Sequence, residues 1–250
     1  KHPVLFNEKL NWLKLYQRRP EYTGMADKYE VRRFVKERIG EEYLIPLLGV
    51  WNSAEEIPFD TLPDQFVLKC THDSASVVIC KDRRHFDREQ AKKKLAACMN
   101  TNYFWASREW PYKDIKPRII AEQYMVDESY TELKDYKIYC FHGKPALIQV
   151  DFGRFTKHER NLYTTDWKYI NERFEYPNNP EVQILKPEGL EKMLQLAGRL
   201  SEGMPSVRID FYSIEGRIYF GEITFYQEGG FGKFEHESFE KKLGDLIKIG

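Results

Sequence analysis

Two late stretches, Val-Arg-Ile-Asp-Phe at 207–211 and Gly-Glu-Ile-Thr-Phe at 221–225, alternate apolar and polar residues with a period of two. That period fits strands buried on one face, because successive strand side chains point to opposite sides. Glu215-Gly216 lies between them and reads as a turn, so the pair forms a hairpin. A turn with an odd number of loop residues sets Asp210 opposite Glu222, with Arg208 and Thr224 beside them. The apolar faces carrying Val207, Ile209, Phe211, Ile223 and Phe225 then coincide. Directly opposed carboxylates repel unless a cation sits between them. Oxygen donors without cysteine or histidine suit magnesium or manganese, and magnesium usually shares its coordination with substrate phosphates. An ordinary surface hairpin with solvated charges shows the same alternation, and this motif alone does not decide between the two.

A second hairpin is expected from 136–141 and 146–150 around His142-Gly143-Lys144-Pro145. Short apolar runs at 66–70 and 76–80 flank the small polar loop 71–75, and 118–125 reads as a further strand followed by a polar stretch, 126–133. Helical spacing marks the early chain, with Asp27 as an N-cap, Val31, Phe34, Val35 and Ile39 on one face, and Gly40 as a stop. Further helices are expected over 87–99 and 187–202 and at the C-terminus, while 152–186 reads as a long irregular loop with room for one short strand. Strands joined by tight turns and interleaved with helices give an α+β class with mixed or antiparallel sheets. The organisation expected is a helical segment at 1–60, one lobe at 61–125 and a second at 126–250 carrying the hairpin.

The aromatic content of 15% excludes disorder, and 39 basic against 39 acidic residues exclude binding to nucleic acid through bulk charge. The longest apolar stretch, 43–51, contains Pro46 and Gly49 and is too short to span a bilayer. Cys70, Cys80, Cys98 and Cys140 form no C-x-x-C pair and the six histidines no H-x-x-x-H, which fits buried thiols in a reducing, cytoplasmic compartment. Lys69 ends an apolar strand just before the loop 71–76, where an ammonium beside a mobile loop with free backbone N–H groups could cradle phosphate or simply reach water.

Read in order, Ala-Asp-Lys at 26–28 with Val-Arg at 31–32, Tyr-Leu-Ile-Pro at 43–46, Leu-Pro at 62–63, Phe-Val-Leu-Lys at 66–69, Ala-Glu-Gln-Tyr at 121–124, Asp-Tyr-Lys at 135–137, Tyr-Thr-Thr-Asp-Trp at 163–167 and the late hairpin at 208–225 form a set. This set resembles the ATP-grasp superfamily, and within it the TupA-like family associated with teichuronopeptide and capsular polysaccharide biosynthesis. The resemblance implies ATP and magnesium (or manganese) held between two α+β lobes. It implies phosphate contacts from Lys69 with help from Lys28 or Arg32, adenine against the linker Glu122, Gln123, Tyr124 and Met125, and ribose on Asp135. It further implies that Asp210, Glu222 and Thr224 hold the metal, while Lys137 and Arg208 face the reacting group. Arg154, Arg160 and Asn161 fall where phosphate or substrate contacts are expected. The chain departs from the family pattern at Thr224, where an asparagine is usual, and in a loop at 71–76 that lacks glycine. The implied activity is a carboxylate–amine ligase acting through an acylphosphate, on a uronic acid of a surface polysaccharide and an amine. Phe155, Tyr163, Trp167 and Tyr169 would suit stacking on a sugar, or plain packing. The alternatives are a kinase of a sugar or small molecule on the same scaffold, and a glycosyltransferase or polysaccharide-binding module.

Overall fold

The computed structural model describes residues 2–74, 76–126, 133–153 and 157–249. The helices are α1 (Phe6–Tyr16), α2 (Glu21–Ala26), α3 (Val31–Arg38), α4 (Arg88–Met99), α5 (Phe104–Ser107), α6 (Leu190–Leu200) and α7 (Glu237–Leu246). The strands are β1 (Leu47–Trp51), β2 (Phe66–Cys70), β3 (Val78–Cys80), β4 (Ile119–Gln123), β5 (Asp135–Phe141), β6 (Lys144–Phe152), β7 (Glu159–Tyr163), β8 (Tyr169–Ile170), β9 (Val207–Ile214) and β10 (Arg217–Thr224). The chain divides into a smaller unit, 19–34 with 44–125, and a larger one, 1–18 with 35–43 and 126–250.

The smaller unit is built on a four-stranded sheet in the order β1-β4-β2-β3, antiparallel throughout. Phe66, Leu68 and Cys70 of β2 share one face with Ile119 and Ala121 of β4, and this face packs with Leu95 of α4. Val67 and Lys69 share the other face with Ile120 and Glu122. The strand β1 falls in the stretch expected to be helical. Its five residues are too few for a helix to bury, and pairing with β4 satisfies their backbone instead.

The larger unit holds a six-stranded sheet in the order β10-β9-β5-β6-β7-β8, again antiparallel throughout. The apolar stripe of α6, with Leu190, Met193, Leu196 and Leu200 fully buried, lies against β5, β6 and β9. Burial of each such side chain contributes about 2 kcal/mol. Ile138, Ile148, Val150, Ile209 and Phe211 form the sheet's apolar face and are also fully buried.

The late hairpin reaches its register differently from the odd-length turn expected. Glu215 and Gly216, at φ 49° and 74°, form a two-residue turn, and Phe220 accordingly faces Phe211. Left alone, that register would turn Glu222 to the apolar face. Gly221 is the extra residue of a bulge, and past it Glu222 pairs with Asp210 and Thr224 with Arg208. A Cβ at Gly221 would lie 3.2 Å from the Asp210 carbonyl and 3.3 Å from the Tyr212 ring, so the bulge suits glycine.

The described part of 152–186 is more ordered than expected, since β7 is a wholly buried strand of the sheet. Its polar side chains are paired: Arg160 with Asp151, Glu159 with Asn179, and Asn161 with the Asn179 backbone. Hydropathy cannot register such a strand, because the sequence pattern counts these residues as solvated.

Candidate active site

The polar face of the larger unit's sheet carries most of the expected site. Strand register places Glu222, Asp210, Lys137 and Gln149 in one row across β10, β9, β5 and β6. The next row runs through Asp135, Asp151 and Arg160. Arg208 grips Asp210 through two bonds, Nε to Oδ1 at 2.7 Å and Nη2 to Oδ2 at 2.8 Å, and donates to Glu222 Oε1 at 2.8 Å. Lys137 Nζ donates to Asp210 Oδ2 at 2.7 Å and to Asp135 Oδ2 at 3.2 Å. The Thr224 hydroxyl donates to Glu222 Oε1 at 3.1 Å.

Asp135, Lys137, Arg208 and Asp210 are all buried, which makes their mutual pairing obligatory. Burial works against the charge on Lys137, but Asp135 and Asp210 outweigh it and raise its pKa, so it stays an ammonium. For Arg208 burial is likewise overcome by Asp210 and Glu222. Burial pushes the Asp210 carboxyl up, against the pull of Arg208 and Lys137. Such cations, fixed in advance, are suited to meet negative charge developing on a reacting group.

Asp210 and Glu222 lie in register on neighbouring strands and offer oxygen donors only, which fits magnesium or manganese better than zinc. Among the described residues no group of three or more His, Cys, Asp or Glu side chains forms a cage for a metal. Two acids would supply only part of a coordination shell, and a magnesium held by them would need water and phosphate ligands to complete it.

The same face extends into a second polar cluster, of which Arg160 was expected and Tyr139, Gln149, Asp151 and Glu228 were not. Tyr139 donates its hydroxyl to Gln149 Oε1 at 2.5 Å, and Gln149 Nε2 reaches both Asp151 oxygens at 3.1 Å. Arg160 Nε donates to Asp151 Oδ1 at 2.6 Å and Nη1 to Glu228 Oε1 at 3.0 Å. The guanidinium also lies 4.7 Å from the Tyr176 ring centroid and 5.3 Å from that of Phe174. Gln149 lies within the expected strand 146–150, and Asp151 was open to detection by extending that strand one residue. Glu228 carried no periodic signal.

Asn161 belongs to the opposite face, paired with Val150, and its amide is committed to the Asn179 backbone. Tyr163 stacks on Trp167 at 4.4 Å, with Tyr169 edge-on at 6.0 Å, so these aromatics pack on each other. Arg154 and Phe155 lie outside the described residues.

In the smaller unit, Glu122 accepts from Lys69 Nζ at 2.8 Å and from Arg32 Nη1 at 3.2 Å, while Arg32 Nη2 donates to the Ile45 carbonyl at 2.8 Å. The ammonium of Lys28 donates to the Asp73 carbonyl. The loop expected to be mobile is pinned at its described residues. Thr71, His72, Asp73 and Ser76 are buried, Ser76 Oγ bridges Asp73 and the Cys70 amide, and His72 Nε2 sits 3.2 Å from the Cys98 carbonyl. These contacts fix the described residues of the loop. Gln123 and Tyr124 line an open depression of about 680 Å³ with Leu48, Gln65, Lys81 and Arg84, and Met125 is half-buried beyond them.

The family model described as TupA-like ATPgrasp matches residues 8–248. No curated protein matches the chain. Among solved structures, the ADP complex of N5-carboxyaminoimidazole ribonucleotide synthetase is 13% identical with a TM-score of 0.51, over 90% of this chain and 52% of that one. D-alanine–D-alanine ligase from Bacillus anthracis, complexed with ATP, is 16% identical with a TM-score of 0.47, over 89% and 63%. The L-amino acid ligase from Bacillus licheniformis is 15% identical with a TM-score of 0.49, over 87% and 47%. The chain thus spans 63% or less of the length of these three proteins. With the family model covering almost the whole sequence, the chain belongs to the TupA-like ATP-grasp family.

Proposed function

We propose that the protein is an ATP-dependent carboxylate–amine ligase. The observation that carries this is the single row of Glu222, Asp210 and Lys137 with Arg208 clamped onto both acids, in a chain of the ATP-grasp family. Asp210 and Glu222, with the Thr224 hydroxyl, would hold magnesium, which supplies charge neutralisation at the phosphates. Lys69, assisted by Arg32 and Lys28, takes the phosphates of ATP. Glu122, Gln123, Tyr124 and Met125 line the adenine, and Asp135 takes the ribose hydroxyls.

A substrate carboxylate oxygen attacks the γ-phosphorus, the bond to the ADP oxygen breaks, and an acylphosphate forms. The amine nitrogen, having lost one proton from its ammonium form, then attacks the acyl carbon. A second proton leaves the nitrogen as the bond to phosphate breaks and the amide forms. Lys137 and Arg208 offset negative charge in both steps, and no protein nucleophile is required. Arg160 is held by Asp151 and Glu228 and acts by shaping the acceptor end of the face. The carboxylate is proposed to be a uronic acid of a cell-surface polysaccharide, on the family association. The reaction is placed in the cytoplasm; all four cysteines are free thiols, and no helix among the described residues is long and apolar enough to cross a membrane.

The test is ATP, magnesium and a uronic acid with hydroxylamine as trap. A ligase gives ADP, phosphate and a hydroxamate. A stable phosphorylated sugar instead would identify a kinase, and protection by a nucleotide-sugar alone would point to a glycosyltransferase.

A further inference from the structure

The proposed nucleotide and metal contacts make no use of the segment that joins α4 to β4. It carries five aromatic residues, Tyr103, Phe104, Trp105, Trp110 and Tyr112. Some of them anchor it: Trp110 stacks on Tyr22 at 6.1 Å, and Tyr103 meets Tyr112 edge-on at 5.0 Å. Asn102 clasps both ends, its Oδ1 accepting from the Phe104 amide at 3.0 Å and its Nδ2 donating to the Lys113 carbonyl at 2.8 Å. On this frame Trp105 is left 62% exposed, with Phe104 edge-on beside it at 5.1 Å.

Two cations gather at these rings. Arg108 ends α5 in the left-handed region, at φ 59°, and its guanidinium lies 5.0 Å from the Trp105 ring centroid and 5.7 Å from that of Phe104. Lys113 Nζ lies 5.9 Å from the Phe104 centroid. Both cations are exposed, and neither forms an ion pair among the described residues. Of the neighbouring acids, Glu109 is buried and Asp114 pairs with neither cation. Like charges drawn to one ring repel, and an anion reverses that cost. Stacking holds the guanidinium plane and leaves its N–H edge to grip a carboxylate through two bonds.

The open indole calls for a flat apolar face as well, which a lone phosphate lacks. Peptides are captured on free strand edges or in grooves, whereas α5 bonds its backbone to itself, the Ser107 and Arg108 amides donating to the Tyr103 and Phe104 carbonyls. A nucleic-acid strand needs a track of cations, and this chain balances 39 basic against 39 acidic residues. An acidic sugar brings both parts on one ring, a C–H face for the indole and a carboxylate for the arginine.

We propose that Trp105, Arg108 and Lys113 form a binding platform for an acidic saccharide, with Asn102 and Phe104 as positioning residues. The platform adjoins the loop after Lys69, since His72 Nε2 sits 3.1 Å from the Thr101 carbonyl. That the saccharide held here is the carboxylate substrate rests on the ligase proposed above; the platform itself does not.

Calorimetry with trigalacturonate supplies the test. The wild type is expected to bind it at least about tenfold more tightly than maltotriose, a neutral trisaccharide. Trp105→Ala is expected to weaken binding at least about tenfold, while Trp105→Tyr, which keeps an aromatic face, stays within about threefold of the wild type. Arg108→Asn, which suits the left-handed backbone, is expected to cut the preference over maltotriose to about threefold or less. Urea midpoints establish that the variants fold. No binding of trigalacturonate, binding that Trp105→Ala leaves intact, or equal binding of a hexaglutamate peptide or a single-stranded oligonucleotide overturns the platform. In turnover with hydroxylamine, Trp105→Ala is expected to raise the KM for trigalacturonate and not that for ATP. An unmoved trigalacturonate KM would overturn the platform's part in the reaction and leave the ligase standing. A wild type that binds trigalacturonate through Trp105 but forms no hydroxamate would sink the ligase reading alone.

Discussion

The two clusters of expected site residues, one in each unit, set acids against cations in opposite proportion. In the smaller unit one carboxylate, Glu122, is shared by Lys69 and Arg32, and both cations keep some contact with solvent, at 19% and 16% exposure. In the larger unit three carboxylates, Asp135, Asp210 and Glu222, surround Lys137 and Arg208, each only 9% exposed. The first arrangement leaves positive charge over and is suited to attract phosphate; the second leaves negative charge over and is suited to a metal cation. Burial separates them as well, because a tightly enclosed pair cannot lose one member without stranding the other.

The largest effect that this contrast predicts is for Asp210→Asn. It strips the principal counter-ion from two enclosed cations, so a loss of at least about 3 kcal/mol is expected in urea unfolding. Metal-dependent ADP release is expected to vanish with it. An unchanged urea midpoint would show that the larger unit tolerates loose charge as the smaller one does.

Gly221→Ala probes the register that brings the acids together. Crowding against the Asp210 carbonyl and the Tyr212 ring should cost about 1–2 kcal/mol, read from the same unfolding midpoint. Release of ADP should fall further than stability, since slipping the bulge turns Glu222 away.

Lys69→Met tests the smaller unit. Arg32 remains on Glu122, so little stability is lost, but the nucleotide Kd should rise about tenfold by calorimetry, the loss of one charge-assisted contact. A stability loss matching that of Asp210→Asn would erase the distinction between the units.

The smallest effect concerns pH. His142 Nε2 accepts from the Lys248 amide, and burial together with Lys248 lowers its pKa from the ordinary 6.5. The unfolded chain therefore takes up a proton before the folded one does. The stabilisation is complete above about 6.5 and declines as pH falls through the lowered folded value. Melting temperature measured from pH 7.5 to 5 should show this slope, and His142→Asn, which tolerates the local φ of 51° and does not titrate, should flatten it.

What could be read beforehand follows from where polarity and burial agree. The alternation in 207–225 and 136–150 is visible because one face of each hairpin meets the apolar stripe of α6. The strand β7 is invisible for the opposite reason, as its arginine and asparagine are satisfied by partners 9 and 18 positions away. The pairing of Asp210 with Glu222 was legible from parity, whereas the bulge that achieves it was not, since Gly221 reads as any small residue in a strand. Lys137 and Arg208 were expected near the acids, but their pairing with Asp210 depends on the neighbouring strand order, which local pattern does not contain. Glu228 was hidden because its placement comes from a helix more than two hundred residues earlier.

The bulge at Gly221 lies between the hairpin's tip and its acids, and this insulates one from the other. Loosening at Glu215 or Gly216 stops at the bulge, whereas a one-residue change in loop length would have to be offset by the loss or gain of a bulge for Glu222 to keep its partner. Turn residues can thus be exchanged at constant length while the carboxylate pairing stays put, and a single backbone irregularity marks where the register set by the tip gives way to the register that seats the acids.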